Sequence, residues 1–352
     1  MQISVETGHT LIHEKMRPWS EAQKLHLAVA YTNPRRWRTR RELAHEFLDH
    51  VATAKNLHVH FCEIAFGDRP FEVADPSNPD HLCLRTGHEL WLKENALNLA
   101  IQRFPPDWRY GAYLDADFVM TRPGWALEAI HLLQHYDWVQ LWSTVQHISG
   151  STIPGEGHQL LNSLAGFALT YAKAGHRVPQ DWEQRLKSNR IDPYGPDSFA
   201  RKHFFPGAPG GGWAFRRSAL DGVGGLMDRC ICGSGDSYMA FGLVGAFRGM
   251  LKDTFAGFSP GYCHYITSWQ KRAAECHGNI GYVDQMAIHH FHGPMGRRGY
   301  GERDNILREE QFDPYTDIFP DGQGVLQLTP HKPRLRQRLQ EYFRTRCEDL
   351  PR

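Results

Sequence analysis

The chain has 352 residues, of which 41% are hydrophobic and 12% aromatic. That is enough apolar surface for a sizeable core, which excludes wholesale disorder. Forty Lys and Arg face thirty-nine Asp and Glu, a formal net charge of +1, which disfavours a strongly basic nucleic-acid binder and an acidic solvating chain while allowing a local basic patch.

Residues 1–24 carry no clear periodicity and read as a leader segment. His26–Thr32 is a short apolar run, a buried strand that stops at Asn33-Pro34. Leu43, Phe47 and Val51 recur at helical spacing within residues 37–55, and Leu57–Phe66 alternates like a strand. Strand, helix, strand opens an α/β sheet. Residues 90–103 follow as an amphipathic helix closed by Phe104-Pro105-Pro106, and Tyr110–Leu114 is a compact strand running into Asp115-Ala116-Asp117. Further along, residues 124–135 read as helix and 138–142 as strand, while 150–210, rich in Gly, Pro, Ser and Asn, read as mixed helix and long loops. Gly211–Arg216 reads as a strand, residues 237–247 as a helix, 286–292 as a His-rich strand and 329–349 as a terminal helix with a basic face. No repeat or linker interrupts this series, so one composite α/β domain with a C-terminal extension is expected.

Five segments carry chemistry. Asp115 and Asp117 stand two apart after an apolar strand, and on extended backbone both carboxylates point the same way, toward one hard cation such as Mg²⁺ or Mn²⁺. The carboxyl edge of a sheet is also where open α/β folds place ligands. Gly210-Gly211-Gly212 allows close backbone approach, and Trp213 suits either a stacked sugar or base, or the core. Asp236, opening a helix after Gly233-Ser234-Gly235, is either an N-cap or a positioned general base. His289, His290 and His292 bring imidazoles suited to a transition ion, with His290 and His292 on one strand face and His289 on the other. The Arg297-Arg298 loop is suited to clasping phosphate.

Taken in order, these stretches resemble the GT-A glycosyltransferases, a Rossmann-like α/β fold with a mixed sheet flanked by helices, and within them the family-2-like enzymes that use nucleotide sugars. Ala28–Pro34 resembles the first strand and turn, and Leu90–Asn95 with Tyr113–Phe118 resembles the helix and DxD strand. Gly211–Arg217, Gly224-Gly225 and Gly233–Asp236 resemble the acceptor-side segment, and His289–Gly293 with Arg297–Asp304 the closing HxxHG-plus-Arg segment. The resemblance implies a catalytic domain over residues 25–328, its nucleotide-sugar half at 25–145 and its acceptor half at 146–328, with 329–352 as a basic extension. It implies a UDP-sugar or similar donor and a divalent metal, Mn²⁺ or Mg²⁺, on Asp115, Asp117 and His292, with His289 as the alternate ligand. Donor contacts are implied for Thr32, Asn33, Pro34, Glu63, Lys93, Glu94, Ala116, Arg297 and Arg298. Acceptor contacts fall to Gly211, Gly212, Trp213 and Asp236, with Asp236 as the base of an inverting transfer. Here Ser234-Gly235 precedes Asp236 where many relatives carry a second acid.

An acceptor saccharide or glycolipid is the base expectation. The basic tail from Lys332 to Arg346 raises a modified DNA base as a second acceptor. Rival readings are a nucleotidyltransferase, which would release pyrophosphate, and a non-catalytic sugar-binding module. The absence of GxGxxG after the first strand and of any GxSxG disfavours a Rossmann dehydrogenase and a serine hydrolase. No apolar run of about 18 residues marks a transmembrane helix. The first 19 residues lack an apolar signal core, and seven Cys without a CxxC pair fit reduced thiols. A cytoplasmic protein, soluble or peripheral, is the expectation.

Overall fold

The structure, a computed structural model, describes residues 23–149, 159–179, 206–246, 256–300 and 302–349. The expected leader lies almost wholly outside them, as do Phe247 and much of 150–210. A seven-stranded mixed sheet forms the centre, flanked by helices on both faces.

The apolar runs make the sheet. β1 (Leu25–Thr32) pairs in parallel with β2 (Leu57–Phe66), which pairs in parallel with β3 (His81–Thr86). On the other side of β1 lies β4 (Tyr110–Leu114), also parallel. Next comes β9 (Gly212–Arg216), antiparallel to β4 and to β6 (Trp138–Gln140), with β10 (Ile280–Tyr282) at the edge. The chain moves outward from β1 through helix α1 (Arg38–Ala52) to β2, then returns through α2 (Lys93–Ile101) to β4 on the opposite side. The strand order therefore reverses between β1 and β4, and their carboxyl ends diverge into a crevice.

Residues after β4 build a second, four-stranded sheet: β5 (Phe118–Met120), β11 (Met286–His290), β7 (Thr144–Ser149) and β8 (Gln159–Ala165), in that order. β5 and β11 run antiparallel, with His289 paired to Phe118. This sheet stands directly beyond the Asp115–Asp117 turn and brings the His-rich strand to it.

Alternation along β1 divides the core. Leu25, Leu27, Val29 and Tyr31 pack with α1 and with α3 (Trp125–Leu132). Ala28, on the other face, belongs to a larger cluster with α2, α6 (Gly235–Leu243) and α7 (Pro260–Ala273). α7 opens on an N-cap, where Ser259 accepts a hydrogen bond from the Tyr262 amide at 3.1 Å and Pro260 fills the first turn. Helices α4 (Phe167–Lys173) and α5 (Arg217–Val223) are short, and α5 ends on Gly224 in the left-handed region at φ 79°. The hairpin of β12 (Ile318–Pro320) and β13 (Leu326–Leu328) and helix α8 (Arg303–Glu309) complete the larger face.

The terminal helix is part of this core. α9 (Pro333–Thr345) buries Leu335, Leu339, Tyr342 and Phe343 in the larger cluster. Its cations are paired: Lys332 with Asp317, Arg334 and Arg338 with Glu310, Arg344 with Glu341 and Arg346 with Glu348. Arg336 meets the His88 ring at 2.6 Å. The basic face that raised DNA as an acceptor is thus internally compensated. No helix among the described residues is long and apolar enough to cross a membrane.

Candidate active site

A cleft of about 150 Å³ opens at the crevice between β1 and β4. Thr32 and Pro34 come from the end of β1, Lys93 and Glu94 from the start of α2, and Asp115, Ala116 and Asp117 from the turn after β4. Asp236 enters from α6, His289 and His292 from β11 and its exit, and Arg298, Arg303 and Arg346 from the C-terminal third.

The two aspartates take different partners. A hydrogen bond from the Phe118 amide to the Asp115 carbonyl at 3.2 Å turns the backbone between them, so it is not extended there. Asp115 faces Lys93, whose Nζ lies 3.1 Å from Oδ1. Asp117 faces the histidines, with Oδ2 at 3.0 Å from His292 Nε2 and 3.7 Å from His289 Nε2. Asp117, His289 and His292 bring ligand atoms within 4.8 Å of one another, and Asp115 lies outside that group. The opposed faces expected for His289 and His292 are corrected. β11 ends at His290, and the chain turns so that the two rings come within 5.2 Å.

Three observations fit that cluster to a divalent cation. Asp117 Oδ1 is buried without a hydrogen-bond partner, a costly state for a carboxylate oxygen unless a ligand meets it. Burial holds the His289 imidazole well below 6.5, in the neutral form that ligates metal. His292 Nδ1 lies 3.3 Å from Glu348 Oε2 without a formed hydrogen bond between them, and a carboxylate behind an imidazole is placed to orient a ligating histidine. Glu348 is itself fully buried and held ionised by Arg40 and Arg346. A set of one carboxylate and two imidazoles suits Mn²⁺ better than Mg²⁺, which prefers oxygen ligands.

Arginines line the same cleft. Arg298 and Arg303 are 5% and 7% exposed, and the Nε of each is buried without a hydrogen-bond partner. Arg303 Nη2 donates to Ser234 Oγ at 2.9 Å, and its guanidinium lies over the Tyr300 ring. Guanidinium groups of this kind are chemically suited to phosphate oxygens. Arg297 is exposed and does not line the cleft.

Asp236 is the second residue of α6 rather than its N-cap, a position taken by Ser234. Its Oδ1 accepts the Ser237 amide at 2.8 Å. A Cβ on Gly210 would come within 2.6 Å of Oδ2, so glycine there leaves room for the carboxylate. Glu94 is buried beside it, and burial pushes its carboxyl up to about 7 against the pull of Lys93. A folded-state carboxyl pKa raised above its unfolded value of 4.5 means that the unfolded chain releases the proton first as pH rises. Wild-type stability therefore falls between about pH 4.5 and 7 on this account. Glu94→Gln is expected to gain roughly 2 kcal/mol on wild type at pH 8 relative to pH 5, as read by urea unfolding at the two pH values. Equal differences at both would contradict the assignment.

Several expected residues serve the scaffold. Glu63 is 2% exposed, and its carboxylate accepts the amides of Glu72, Val73 and Ala74. Asn33 Oδ1 accepts the Trp37 amide at 2.9 Å, and Nδ2 donates to Tyr31 Oη and the Trp37 carbonyl. These bonds shape the loop that carries Pro34 and Trp37 into the cleft. Trp213 is 2% exposed and donates Nε1–H to the Pro209 carbonyl, which decides for the core between its two readings. The Gly211 carbonyl accepts the Asp115 amide at 2.8 Å, and a Cβ there would strike Phe118 and Trp142. Gly211 and Gly212 thus let β9 close against β4 behind the Asp115–Asp117 turn. Arg40, Arg346 and Glu348 line the cleft or back it, although no motif in the sequence singles them out, whereas Arg303 falls within the Arg297–Asp304 segment.

No family profile matches the chain, and no curated protein matches it in sequence. Among solved structures, the catalytic domain of Drosophila β1,4-galactosyltransferase 7 in complex with xylobiose aligns over 64% of this chain at 15% identity and TM-score 0.30. TarS of S. aureus aligns over 63% at 10% identity and TM-score 0.32. The aligned stretch spans 62% of the first of those chains and 34% of the second.

Proposed function

We propose that this protein is a metal-dependent glycosyltransferase that moves a sugar from a nucleoside-diphosphate sugar, a UDP-sugar in the first instance, to an acceptor hydroxyl with inversion. The observation that carries this reading is the meeting in one cleft of an aspartate, whose Oδ1 is without a partner and whose Oδ2 lies beside two imidazoles, with two arginines whose Nε groups are without a partner. The first half suits a divalent cation and the second a diphosphate. Asp117, His289 and His292 would hold the cation, which when bound neutralises charge on the leaving diphosphate.

The remaining work falls to the chain. Arg298 and Arg303 bind and orient the diphosphate oxygens and take up the charge that develops there. Lys93 fixes Asp115 at the cleft wall, where its carboxylate can accept a hydrogen bond from a donor hydroxyl. Asp236, opposite, accepts the proton of the acceptor hydroxyl as that oxygen bonds to the anomeric carbon and the bond to the diphosphate breaks. Holding the two substrates in line supplies the rest of the acceleration.

Arg303→Gln is expected to raise the donor KM about 10- to 100-fold, the worth of losing charge-assisted bonds to phosphate. Arg297→Gln is expected to change it less than about twofold, because that side chain lies outside the cleft. Equal effects of the two in steady-state kinetics would contradict the placement. Glu348→Gln is expected to weaken Mn²⁺ binding about 10- to 100-fold by releasing His292, with kcat at saturating metal changed much less. An unchanged Mn²⁺ titration would remove Glu348 from the site.

The reading itself is tested by a panel of nucleotide sugars screened for thermal stabilisation with and without Mn²⁺, followed by product analysis with the best donor. Release of a nucleoside diphosphate with sugar transfer is expected. Release of pyrophosphate from a nucleoside triphosphate would make the protein a nucleotidyltransferase. Glycan binding that is indifferent to metal and leaves the donors intact would make it a binding module.

A further inference from the structure

We propose that His26, His58 and His60 form a second cation site, for a borderline divalent ion such as Zn²⁺, at the amino edge of the central sheet. The site lies at the opposite end of the strands from the cleft and does not depend on the function proposed above.

Strand register builds it. His26 near the start of β1 is the direct neighbour of His58 near the start of β2. His60 follows two residues later on the same face of β2. One nitrogen from each ring can be chosen so that all three lie within 4.8 Å of one another. His26 Nδ1 and His60 Nε2 are 3.2 Å apart. A tetrahedral ion with Zn–N bonds of about 2.0–2.1 Å spaces its ligand nitrogens about 3.3 Å apart, so two of the three donors already stand at that separation.

The surroundings support ligation. Asp80 Oδ1 lies 2.9 Å from His58 Nε2, which places the proton of His58 on that nitrogen and the lone pair on the other. This is the carboxylate–histidine arrangement that orients metal ligands. Phe104 packs on His26 and His60 at ring separations of 5.3 and 4.6 Å and closes one side. The His58 side chain, 30% exposed, leaves an entry from solvent and room for a water or an external group as fourth ligand. Three imidazoles without thiolate suit Zn²⁺ or its neighbours rather than Mg²⁺ or Ca²⁺. An ion there would tie β1 to β2 and stabilise the folded chain in proportion to its affinity.

The test uses the full chain, stripped of metal and titrated with Zn²⁺ against a chromophoric chelator, with the melting temperature followed in parallel. The Asp117→Asn/His292→Gln double variant removes competition from the cleft. It is expected to retain one zinc equivalent and a zinc-dependent rise in melting temperature. Adding His58→Gln should abolish both while leaving the metal-free melting temperature close to its parent's. Adding Asp80→Asn instead keeps all three imidazoles and should weaken zinc about 10- to 100-fold. The proposal is overturned if the double variant binds no zinc, or if its zinc persists unchanged after either further substitution.

Discussion

Asp117→Asn is expected to abolish Mn²⁺ binding in the cleft and to lower sugar transfer about 10³-fold. The substitution keeps the size of the side chain and removes its charge. In the wild type, Oδ1 is buried and unpartnered while Oδ2 sits 3.0 Å from His292 Nε2. An amide offers one neutral oxygen, and its NH₂ group would turn toward the ion or the imidazole. The two histidines would remain without the one anionic ligand of the cluster. Asp115→Asn is the informative comparison, because Asp115 is held by Lys93 and lies outside the three-residue cluster. It should weaken Mn²⁺ much less than Asp117→Asn does. Equal losses of Mn²⁺ affinity would favour the arrangement in which both aspartates ligate one ion.

The second large effect is expected for Asp236→Asn, with kcat down about 10²- to 10⁴-fold and the donor KM little changed. Asp236 lies in the first turn of α6, fixed by the Ser237 amide on Oδ1. The asparagine keeps that anchor through its own carbonyl but cannot take a proton. The proposed mechanism assigns donor binding to the arginines and the metal cluster, so the loss should appear in kcat alone. Steady-state kinetics at saturating donor reads it directly. A variant with near wild-type kcat would exclude Asp236 as the base and turn attention to Glu94, the other carboxyl on that side of the cleft.

The parts of the fold legible in the sequence are those where burial is continuous. β1 and β4 are apolar runs because both of their faces are covered, β2 alternates before its buried second half, and each appears where the sequence predicts it. β3 escaped because it is an edge strand with only three consecutive apolar residues, Leu82, Cys83 and Leu84, between polar ends, too short a run to show either period. α7 carries a readable signature that the periodicity reading omits: Ser259-Pro260 at the start and Tyr262, Ile266, Trp269 and Ala273 along one buried face. β7 and β8 lie in a small sheet whose strands are only part-buried, which weakens any period-two signal.

The site divides in a similar way. Asp115, Asp117, His289, His292, Lys93, Glu94, Asp236 and Arg298 all reach one cleft, although the sequence separates the first from the last by most of the chain. Their distribution between a Lys93 pair and a histidine cluster was not legible, because it depends on a backbone turn at Asp115 and on where β11 ends. Glu348 and Arg346 lay beyond sequence reasoning for another reason. They act only because α9 packs into the core and delivers the segment after it to the back of His292.

The central claim is that Asp117 and the two histidines form a cation site completed by a nucleoside diphosphate. It is tested most directly by titrating Mn²⁺ into the protein with and without UDP, monitored by electron paramagnetic resonance of the free ion. One Mn²⁺ should bind, more tightly when UDP is present, and Asp117→Asn should remove it in both conditions. Mn²⁺ binding that ignores UDP and survives Asp117→Asn would contradict the account.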